Sequence, residues 1–231
     1  MPRIADPNAK DALVAAARAE FARRGLRSAR IEDITAACGL SKGAFYLHFS
    51  SKEALFGELV ERFGSELSCT ADRRRAEMAA FFGRHGPITR RDVEERTAAY
   101  REVLELESAE DLLVLEHMWA FRDVVGVLLR GSQGTRFEGF FWEMTDREVE
   151  RVKQTFLQFQ GDHACRTDIP PELFGSMIVG TYVLIAMRMS RMTEKPDLGA
   201  WARSLHVLIR EGSAPSANHA AGRPKSSRSA S

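Results

Sequence analysis

The stretch from residue 31 to residue 59, IEDITAACGLSKGAFYLHFSSKEALFGEL, constrains the fold of this chain more than any other segment. Ile31 and Ile34 recur at helical spacing between polar residues, which predicts a short amphipathic helix. Gly39 follows where a helix end needs a left-handed backbone, and Ser41 can cap a second helix. Two helices joined by a tight glycine turn are typical of a helix-turn-helix, whose second helix enters a DNA major groove.

The second helix of this pair, from Lys42 to Phe49, has two different faces. Phe45 and Phe49 are four residues apart and can anchor one face in a core, whereas Tyr46 and His48 lie elsewhere around the helix. An anchored back and a polar front are what docking into a groove requires. The alternative is a short connector helix whose tyrosine and histidine are ordinary surface residues.

A third helix is expected to follow at once. Ser50 and Glu53 form an S-x-x-E pattern, which predicts a capping box at its start. Lys52 in the first turn opposes the helix dipole, and a bound phosphate would reverse that cost; the alternative is a solvated lysine. Apolar residues continue at helical spacing, so we expect this helix to extend toward Phe82 and to link two domains.

The segment GLSKGAFYLHFSSKEAL, with EDI before it, resembles the signature of the tetracycline-repressor (TetR) family of transcriptional regulators, and the resemblance extends from about Ala9 to Leu59. It implies an all-α fold, with an N-terminal three-helix helix-turn-helix DNA-binding domain followed by a larger helical ligand-binding and dimerisation domain. It also implies a double-stranded DNA operator as partner. The residues it places at or beside DNA are Arg30, Ser41, Lys42, Gly43, Ala44, Tyr46, His48 and Lys52.

One position departs from the family pattern. Members usually carry Thr or Ser where this chain has Arg30, and that residue caps the first helix of the motif and contacts phosphate. Arg30 cannot cap, so we expect Ser28 to do so from a shifted helix start, while Arg30 keeps the phosphate contact.

The segment before the motif is expected to form another helix. Asp6 and Pro7 suit a helix start, and Leu13, Ala17 and Phe21 form an apolar stripe. From residue 3 to residue 30 there are seven basic and three acidic residues, including a cluster of arginines at 23, 24, 27 and 30. Such a cluster is the expected electrostatic footprint for phosphate, although arginines at a helix end also compensate the helix dipole.

The overall charge limits the class of partner. The chain has 231 residues and a formal net charge of +1, so any DNA contact must be local. Residues 1–62 carry ten basic and eight acidic groups, and residues 63–212 carry 20 basic and 24 acidic groups. We therefore divide the chain into a DNA-binding domain at 1–62, with its motif at about 30–49, an effector-binding and dimerisation domain at 63–212, and a weakly basic disordered tail at 213–231.

Cysteine use and hydropathy favour a reduced, cytoplasmic protein. Cys38, Cys69 and Cys165 are scattered and show no pairing or metal spacing. The first residues lack the apolar stretch of a signal peptide, and the apolar run from Leu173 to Met187 looks too short to span a bilayer. We expect no cofactor, no metal and no membrane partner.

The rest of the chain is expected to be helical. Thr89 and Asp92 should cap a helix running through Val93, Tyr100 and Leu104. The other expected helices contain residues 112–129 and about 136–160. Pro170 and Pro171 should open the next helix, Pro196 should end the loop after it, and the last helix should extend from Leu198 to Arg210.

The last two helices are expected to form a homodimer interface. The helix before Pro196 is apolar nearly all round, so it must be buried on more than one side, and a second subunit can supply that side. The resemblance implies that the same two helices form the dimer interface. A palindromic operator also needs two recognition helices related by a two-fold axis. The alternative is an intramolecular core helix. The predicted interface residues are Met177, Ile178, Thr181, Ile185, Met189, Trp201, Leu205 and Leu208.

The middle of the chain is expected to bind an unidentified small-molecule effector, since aromatic walls with a few polar groups suit such a site. The candidate residues are Tyr100, His117, Trp119, Arg122 and Phe141. The same residues are common in plain cores. Glu116 and Asp123 are alternative partners for His117 and Arg122.

The predicted function is therefore that of a ligand-responsive repressor that binds its operator as a homodimer. Two other functions are alternatives to it. One is a DNA-binding protein without an effector. The other is a small helical enzyme that would use Asp162, His163, Cys165 and Asp168, although their spacing matches no zinc pattern.

Overall fold

The computed structural model describes residues 7–161 and 165–213, and every regular element in these ranges is an α-helix, which confirms the all-α prediction. The expectations for Asp6, Asp162, His163 and the tail from residue 214 fall outside the described residues. The helices are α1 Pro7–Ser28, α2 Ile31–Ala37, α3 Lys42–His48, α4 Lys52–His85, α5 Arg90–Glu95, α6 Ala98–Ala120, α7 Arg122–Arg130, α8 Phe140–Gly161, α9 Pro171–Met189 and α10 Leu198–Ser213.

The N-terminal helices pack around a core of aromatic and aliphatic side chains. The predicted stripe on α1 is buried, and Phe21 meets Phe56 of α4 edge to face at a centroid distance of 5.5 Å. Phe45 of α3 joins the same cluster. Burial of several phenylalanines in so small a bundle is the main stabilising term, on the order of 2 kcal/mol for each fully buried side chain.

This core does not stop at the predicted boundary after residue 62. It continues into Val125 of α7 and Phe141 of α8, and into Phe121 and Phe137, which lie in the segments before these two helices. Phe137 packs edge to face on Phe56, with ring centroids 5.0 Å apart. The division of the chain at residue 62 is therefore a proposal about function, because the hydrophobic packing is continuous across it.

Two backbones touch where α1 meets α7. The N–H of Leu26 donates to the carbonyl oxygen of Gly131 at 2.9 Å. Gly25 has a φ of 76°, and a Cβ there would lie 3.2 Å from the same carbonyl oxygen. Only glycine combines this left-handed backbone with so close an approach, so Gly25 sets how the N-terminal helices sit on the remainder of the chain.

Helix α4 extends from the N-terminal helices deep into the rest of the chain. It has 34 residues and ends at His85, slightly beyond the predicted Phe82. A 34-residue α-helix is about 50 Å long. It therefore connects the two regions as one rigid rod.

The predicted helix starting at Thr89 is two helices. The capping box of Thr89 and Asp92 is present and opens α5, as expected. Arg96 then adopts a left-handed φ of 48°, and the Thr97 hydroxyl accepts a bond from the N–H of Tyr100 to open α6. A threonine that seemed to lie inside a helix thus caps a new one, because its side chain can satisfy an exposed backbone N–H.

Two further boundaries differ from the prediction. Residues 112–129 belong to two helices, since α6 ends at Ala120 and Phe121 separates it from α7. Helix α8 begins at Phe140 and not near Arg136. The preceding residues form a turn in which the Thr135 hydroxyl donates to the carbonyl oxygen of Ser132 at 2.6 Å.

Helices α9 and α10 pack on α6 and α8. The rings of Phe156 and Phe174 stack at 3.8 Å and join α8 to α9. Leu115 of α6, Met189 of α9 and Leu198 of α10 form a separate buried cluster with Ala202. The C-terminal half therefore has its own core, which holds α10 in place.

Candidate DNA interface

The turn between α2 and α3 is fixed by local hydrogen bonds. The N–H of Leu40 donates to Thr35 at 2.9 Å and that of Gly39 donates to Ala36 at 3.3 Å, which is the Schellman arrangement of a helix end. Gly39 has the left-handed φ of 68° that this arrangement needs. The Ser41 hydroxyl then accepts from the N–H of Ala44 at 3.1 Å and caps α3. Sequence neighbours alone set the angle between the two helices.

Helix α3 has a buried face and an exposed face. Phe45 is fully buried and Phe49, directly after the helix, is nearly so. Tyr46 is 51% exposed and Leu47 is 52% exposed. Lys42 and Gly43 in the first turn are also exposed, and His48 at the end is half-buried. Leu47 was missed by the sequence analysis, and an apolar side chain on this face can contact a thymine methyl group.

The start of α2 corrects the expected shift. The helix begins at Ile31, and Arg30 occupies the N-cap position with no side-chain cap. Ser28 is the last residue of α1 and does not cap α2. The Arg30 side chain is exposed and forms no hydrogen bond or ion pair with the described residues. It is therefore available to an incoming phosphate.

The cap of α4 differs from the prediction by one residue. The Ser51 hydroxyl, and not that of Ser50, accepts from the N–H of Ala54 at 3.0 Å. Glu53 lies in the first turn, where a carboxylate is favourable for the helix dipole. Either serine suits a cap by residue type, so residue type alone does not distinguish them.

Lys52 is held by the end of α1. Its Nζ donates to the carbonyl oxygens of Arg27 at 2.7 Å and of Ala29 at 2.8 Å. The side chain is 18% exposed. An ammonium group has three N–H donors, so one remains for a phosphate oxygen. Lys52 thus braces the α1–α2 junction in the DNA-free protein.

Lys42 is also paired within the protein. Its Nζ lies 2.6 Å from Oε1 of Glu32 on α2. The hydrogen bond between them raises the pKa of Lys42 and lowers that of Glu32. Both side chains are half exposed, so water screens this pair and a phosphate can take the place of the carboxylate.

Four of the eight predicted DNA contacts border one shallow depression of about 310 Å³. They are Arg30, Lys42, Tyr46 and Lys52. The other four, Ser41, Gly43, Ala44 and His48, follow the length of α3 and its cap. The eight predicted residues therefore belong to one continuous part of the surface, at the α2–α3–α4 junction.

The arginine cluster at the end of α1 is partly neutralised. Glu20 is buried and pairs with both Arg23 and Arg24, with Nε of Arg24 at 3.0 Å from Oε1. The Arg27 side chain forms no hydrogen bond or ion pair with the described residues. Of the four arginines expected to meet phosphate, Arg27 and Arg30 are thus the two that carry unpaired charge.

The five predicted effector-binding residues do not surround one cavity in the described chain. Tyr100 is buried with Phe81 and Val103, Trp119 packs against the cluster of Leu115 and Met189, and Phe141 lies in the N-terminal core. The Tyr100 hydroxyl is buried without a hydrogen-bond partner among the described residues. A buried hydroxyl needs a partner, so Tyr100 is the strongest of the five as a ligand contact.

His117 and Arg122 have partners other than those expected. Nε2 of His117 is 2.9 Å from the carbonyl oxygen of Phe63, and Nδ1 is 3.0 Å from Glu66, both on α4. Arg122 donates to the carbonyl oxygen of Trp119 at 3.0 Å and lies over its indole ring. Of the expected carboxylates, Glu116 pairs with Lys195 and Asp123 with Arg18.

Helix α9 exposes an apolar stripe. Leu173, Met177 and Leu184 are all more than half exposed, and Leu208 of α10 is 71% exposed. Among the other predicted interface residues, Ile178, Thr181, Ile185, Trp201 and Leu205 are partly buried. Met189 is fully buried in its own subunit and cannot face a partner, which corrects that assignment. Leu173 and Leu184 were missed, since periodicity alone does not orient an apolar helix.

The length of α9 bears on the expectation that no helix spans a membrane. It has 19 residues, and by length and composition it is the one described helix that could cross a membrane. The run from residue 173 to residue 187 was judged too short to do so.

The candidate enzymatic segment lies beside the start of α9. Cys165 is buried, and burial raises the pKa of its thiol to about 11. Asp168 accepts from Nε of Arg166 at 2.7 Å. No group of three or more His, Cys, Asp or Glu side chains in the described ranges could hold a metal ion. A thiol with so high a pKa is a poor nucleophile at neutral pH.

Comparison with known proteins places this surface in a family context. Residues 13–59 match the family described as bacterial regulatory proteins, tetR family. The HTH-type transcriptional repressor DhaR of Mycobacterium sp. (strain GP1) is 26% identical over 180 residues, which cover 77% of this chain and 81% of DhaR. The uncharacterized HTH-type transcriptional regulator YerO of Bacillus subtilis (strain 168) is 51% identical over 43 residues, 19% of this chain and 15% of YerO.

Solved structures share the fold. The ketosteroid transcriptional regulator KstR2 of Mycobacterium tuberculosis has a TM-score of 0.62 and 20% identity, over 92% of this chain and 97% of KstR2. The fatty acid degradation regulator FadR of Bacillus halodurans has a TM-score of 0.58 and 19% identity, over 91% of this chain and 98% of FadR. At these identities the likeness concerns the fold alone.

Proposed function

We propose that this chain, which matches the tetR family of bacterial regulatory proteins over residues 13–59, is a transcriptional repressor that binds a palindromic operator as a homodimer and is released by a small molecule. The observation that carries the proposal is the exposed face of α3, where Tyr46 and Leu47 point away from a core that holds Phe45 and Phe49. A helix anchored on one side and exposed on the other suits a major groove.

Base reading and phosphate binding fall to different residues. Tyr46 and His48, with the near-bare backbone at Gly43 and Ala44, are proposed to meet base edges and sugars. Arg30, Lys42 and the remaining N–H of Lys52 are proposed to bind phosphates, and Ser41 lies beside them. Phosphate contacts set the register of the protein on DNA, and base contacts set the sequence.

The proposed dimer uses the exposed stripe of α9 together with α10. Leu173, Met177 and Leu184 recur along one side of α9, and Leu208 adds the most exposed large apolar side chain of the described chain. An exposed apolar stripe such as that of α9 marks an interaction site. A two-fold dimer would bury the same surface from both subunits and present two α3 helices to successive grooves.

A membrane is a less suitable cover for α9 than a second subunit. The ring stack between Phe156 and Phe174 fixes α9 along α8, and α8 carries charged residues such as Glu148, Glu150 and Arg151. Inserting α9 into lipid would drag these charges into the bilayer, which is costly. We therefore propose a cytoplasmic protein whose α9 faces another copy.

The effector site is proposed to lie in the helical region after residue 62. The unpartnered hydroxyl of Tyr100 supports a polar ligand atom beside it. Effector-dependent release requires that the ligand bind the two conformations with different affinity. A repressor without an effector is the alternative, and a screen in which some compound both raises the melting temperature and releases DNA separates the two.

The direct test of DNA binding is a gel shift with DNA upstream of the chain's own gene, followed by sequencing of genomic fragments that the protein retains. The proposal expects an inverted repeat in the retained fragments and weaker retention by Tyr46→Ala. Retention of no palindromic sequence, with Tyr46→Ala behaving like the unmodified protein, would contradict it.

A further inference from the structure

A buried ionic cluster lies where α4, α6 and α10 meet, and none of its residues belongs to the candidate DNA surface. It consists of Arg74 on α4, Glu107 and Asp111 on α6, and His206 and Arg210 on α10. Glu107, Asp111 and His206 are almost completely buried. Charges this deep persist only when each has a partner.

The contacts of His206 require an extra proton. Nδ1 lies 2.8 Å from Oδ2 of Asp111, and Nε2 contacts Oε2 of Glu107. A carboxylate can only accept hydrogen bonds, and a neutral imidazole has one N–H to donate. Two contacts need two donated protons, and a neutral imidazole between two carboxylates supplies one. The three groups therefore share one additional proton.

The neighbouring arginines place that proton on the ring. Nε of Arg210 donates to Glu107 at 3.0 Å, and Nη1 of Arg74 donates to Asp111 at 2.7 Å. A guanidinium favours the ionised form of the carboxyl that it contacts. Burial opposes ionisation of Glu107, but Arg210 and His206 outweigh it and lower its pKa to about 2. Both carboxyls thus stay charged, and His206 is an imidazolium.

The other groups near the cluster keep one charge state at ordinary pH. Burial, and then Asp111, raises the pKa of Tyr182 on α9 well above its usual value. Burial raises the pKa of the Cys165 thiol to about 11. Both side chains are therefore neutral near pH 7, and His206 is the member of the cluster whose ordinary pKa lies closest to neutrality.

We propose that His206 is a proton-operated clasp, whose imidazolium holds α10 against α6 and, through Asp111 and Arg74, against the long helix α4. When the proton leaves, one ring nitrogen turns a lone pair toward a carboxylate oxygen at hydrogen-bond distance. Neither atom can then donate, so the contact becomes repulsive and α10 loosens.

The position of the clasp makes the proton a candidate regulator. Helix α4 continues to the DNA-binding helices, and α10 carries the exposed Leu208 of the proposed dimer surface. Loosening α10 is expected to weaken the dimer and, with it, operator binding. The effect on DNA rests on the proposed function, whereas the effect on α10 does not.

The direction of the pH effect follows from the ring contacts. Burial lowers the pKa of His206, but the hydrogen bonds with Asp111 and Glu107 outweigh it, so the pKa in the folded state lies above the usual 6.5. The clasp is complete below 6.5 and is lost as the pH rises through the folded-state pKa. Between these two values, the unfolding equilibrium constant should rise by up to about ten-fold per pH unit.

The test compares unfolding of the full chain from about pH 6 to about pH 9 in four forms. These are the unmodified protein, His206→Gln, His206→Lys and, as matched control, His85→Gln. His85 also meets a carboxylate, Glu102 at 3.1 Å, but its side chain is 31% exposed and is not buried like that of His206. The unmodified protein and His85→Gln should lose stability across this range, His206→Gln should lose less, and His206→Lys should keep its stability at the alkaline end.

A second measurement needs no variant to fold. Nitrogen-15 chemical shifts of histidine-labelled protein report the charge of each ring, and His206 should remain an imidazolium at pH 7 and beyond. A neutral His206 ring at pH 7 in the folded protein, or equal pH dependence in His206→Gln and His85→Gln, would overturn the clasp. If the clasp is observed and operator affinity is the same at about pH 7 and about pH 9, its proposed effect on DNA is wrong. Failure to bind any DNA would count against the proposed function and leave the clasp intact.

Discussion

The ammonium group of Lys52 donates a hydrogen bond to the carbonyl oxygen of Ala29 at 2.8 Å. This contact joins the first turn of α4 to the segment between α1 and α2, and a second bond to the carbonyl oxygen of Arg27 strengthens it. A lysine at this position was expected mainly to meet a DNA phosphate. In the DNA-free protein it joins α4 to the end of α1 and to the segment that leads into α2.

Replacing Lys52 should therefore destabilise the protein even without DNA. Lys52→Met removes two charge-assisted hydrogen bonds from a mostly buried ammonium, and we expect a loss of about 1–3 kcal/mol in the free energy of unfolding. Chemical denaturation measures it. Lys10→Met is the control, because Lys10 pairs with Glu58 in a more exposed bridge and should cost less than about 1 kcal/mol. Equal losses in the two variants would show that the carbonyl contacts of Lys52 contribute nothing special.

Removing the carboxylate beside Lys42 should tighten DNA binding. In the DNA-free protein, Oε1 of Glu32 lies 2.6 Å from Nζ of Lys42 and forms an ion pair with it. Glu32→Gln frees that cation for a phosphate, and we expect operator affinity to rise roughly two- to five-fold at moderate salt. The control Glu94→Gln makes the same charge change at the distant, exposed bridge to Arg90. Fluorescence anisotropy measures both, and a fall in affinity for Glu32→Gln would mean that Glu32 itself contacts DNA.

Truncating Tyr46 should weaken operator binding while leaving the fold intact. Its side chain is half exposed on α3, so Tyr46→Ala removes little core packing. A lost base contact typically costs about 1–3 kcal/mol of binding free energy. Tyr46→Phe separates the hydroxyl from the ring, because it keeps the apolar part of the contact. The idea would fail if Tyr46→Ala bound the selected operator as tightly as the unmodified protein at an unchanged melting temperature.

A charge placed on the α9 stripe should separate the proposed dimer. In a two-fold interface, Leu184→Glu would introduce two carboxylates into the same apolar contact, one from each subunit. We expect sedimentation to shift from dimer to monomer at micromolar concentration. Leu113→Glu on α6 is the matched control, since Leu113 is also an exposed leucine outside the proposed interface. Dimers that persist in Leu184→Glu would place the interface elsewhere.

The cysteines should differ in reactivity. Cys69 is exposed, whereas Cys165 is buried and its thiol pKa is raised to about 11, so its thiolate is scarce near pH 8. A thiol reagent should modify Cys69 quickly and Cys165 only after unfolding, as read by mass spectrometry of peptides. Rapid modification of Cys165 in the native protein would revive an enzymatic role for its segment.

The helix-turn-helix could be predicted closely because its bonds are local. Gly39 and Ser41 act on backbone groups within five residues, and the burial of Phe45 follows from helical spacing. The same reasoning failed where two neighbours were equally suitable. Ser50 and Ser51 both suit a cap, and only the fold shows that Ser51 faces the N–H of Ala54.

The candidate effector and dimer residues were harder to predict for a different reason. An apolar helix such as α9 has no polar face that shows which side meets solvent. Sequence spacing therefore assigned Met189 to the interface, although this residue is buried in its own subunit. Aromatic residues of α6 and α8 look alike in sequence. Packing sends Tyr100, Trp119 and Phe141 to three different clusters.

The sequence by itself determined an all-helical chain, the turn before α3, and the division of that helix into anchored and exposed faces. These depend on hydrogen bonds and side-chain spacing within one or two helical turns. Only the tertiary structure decided that Lys52 binds the end of α1 and that His206 meets Asp111, 95 residues away. The partner of a buried charge depends on which helices lie side by side, and that arrangement is set by the packing of the whole core.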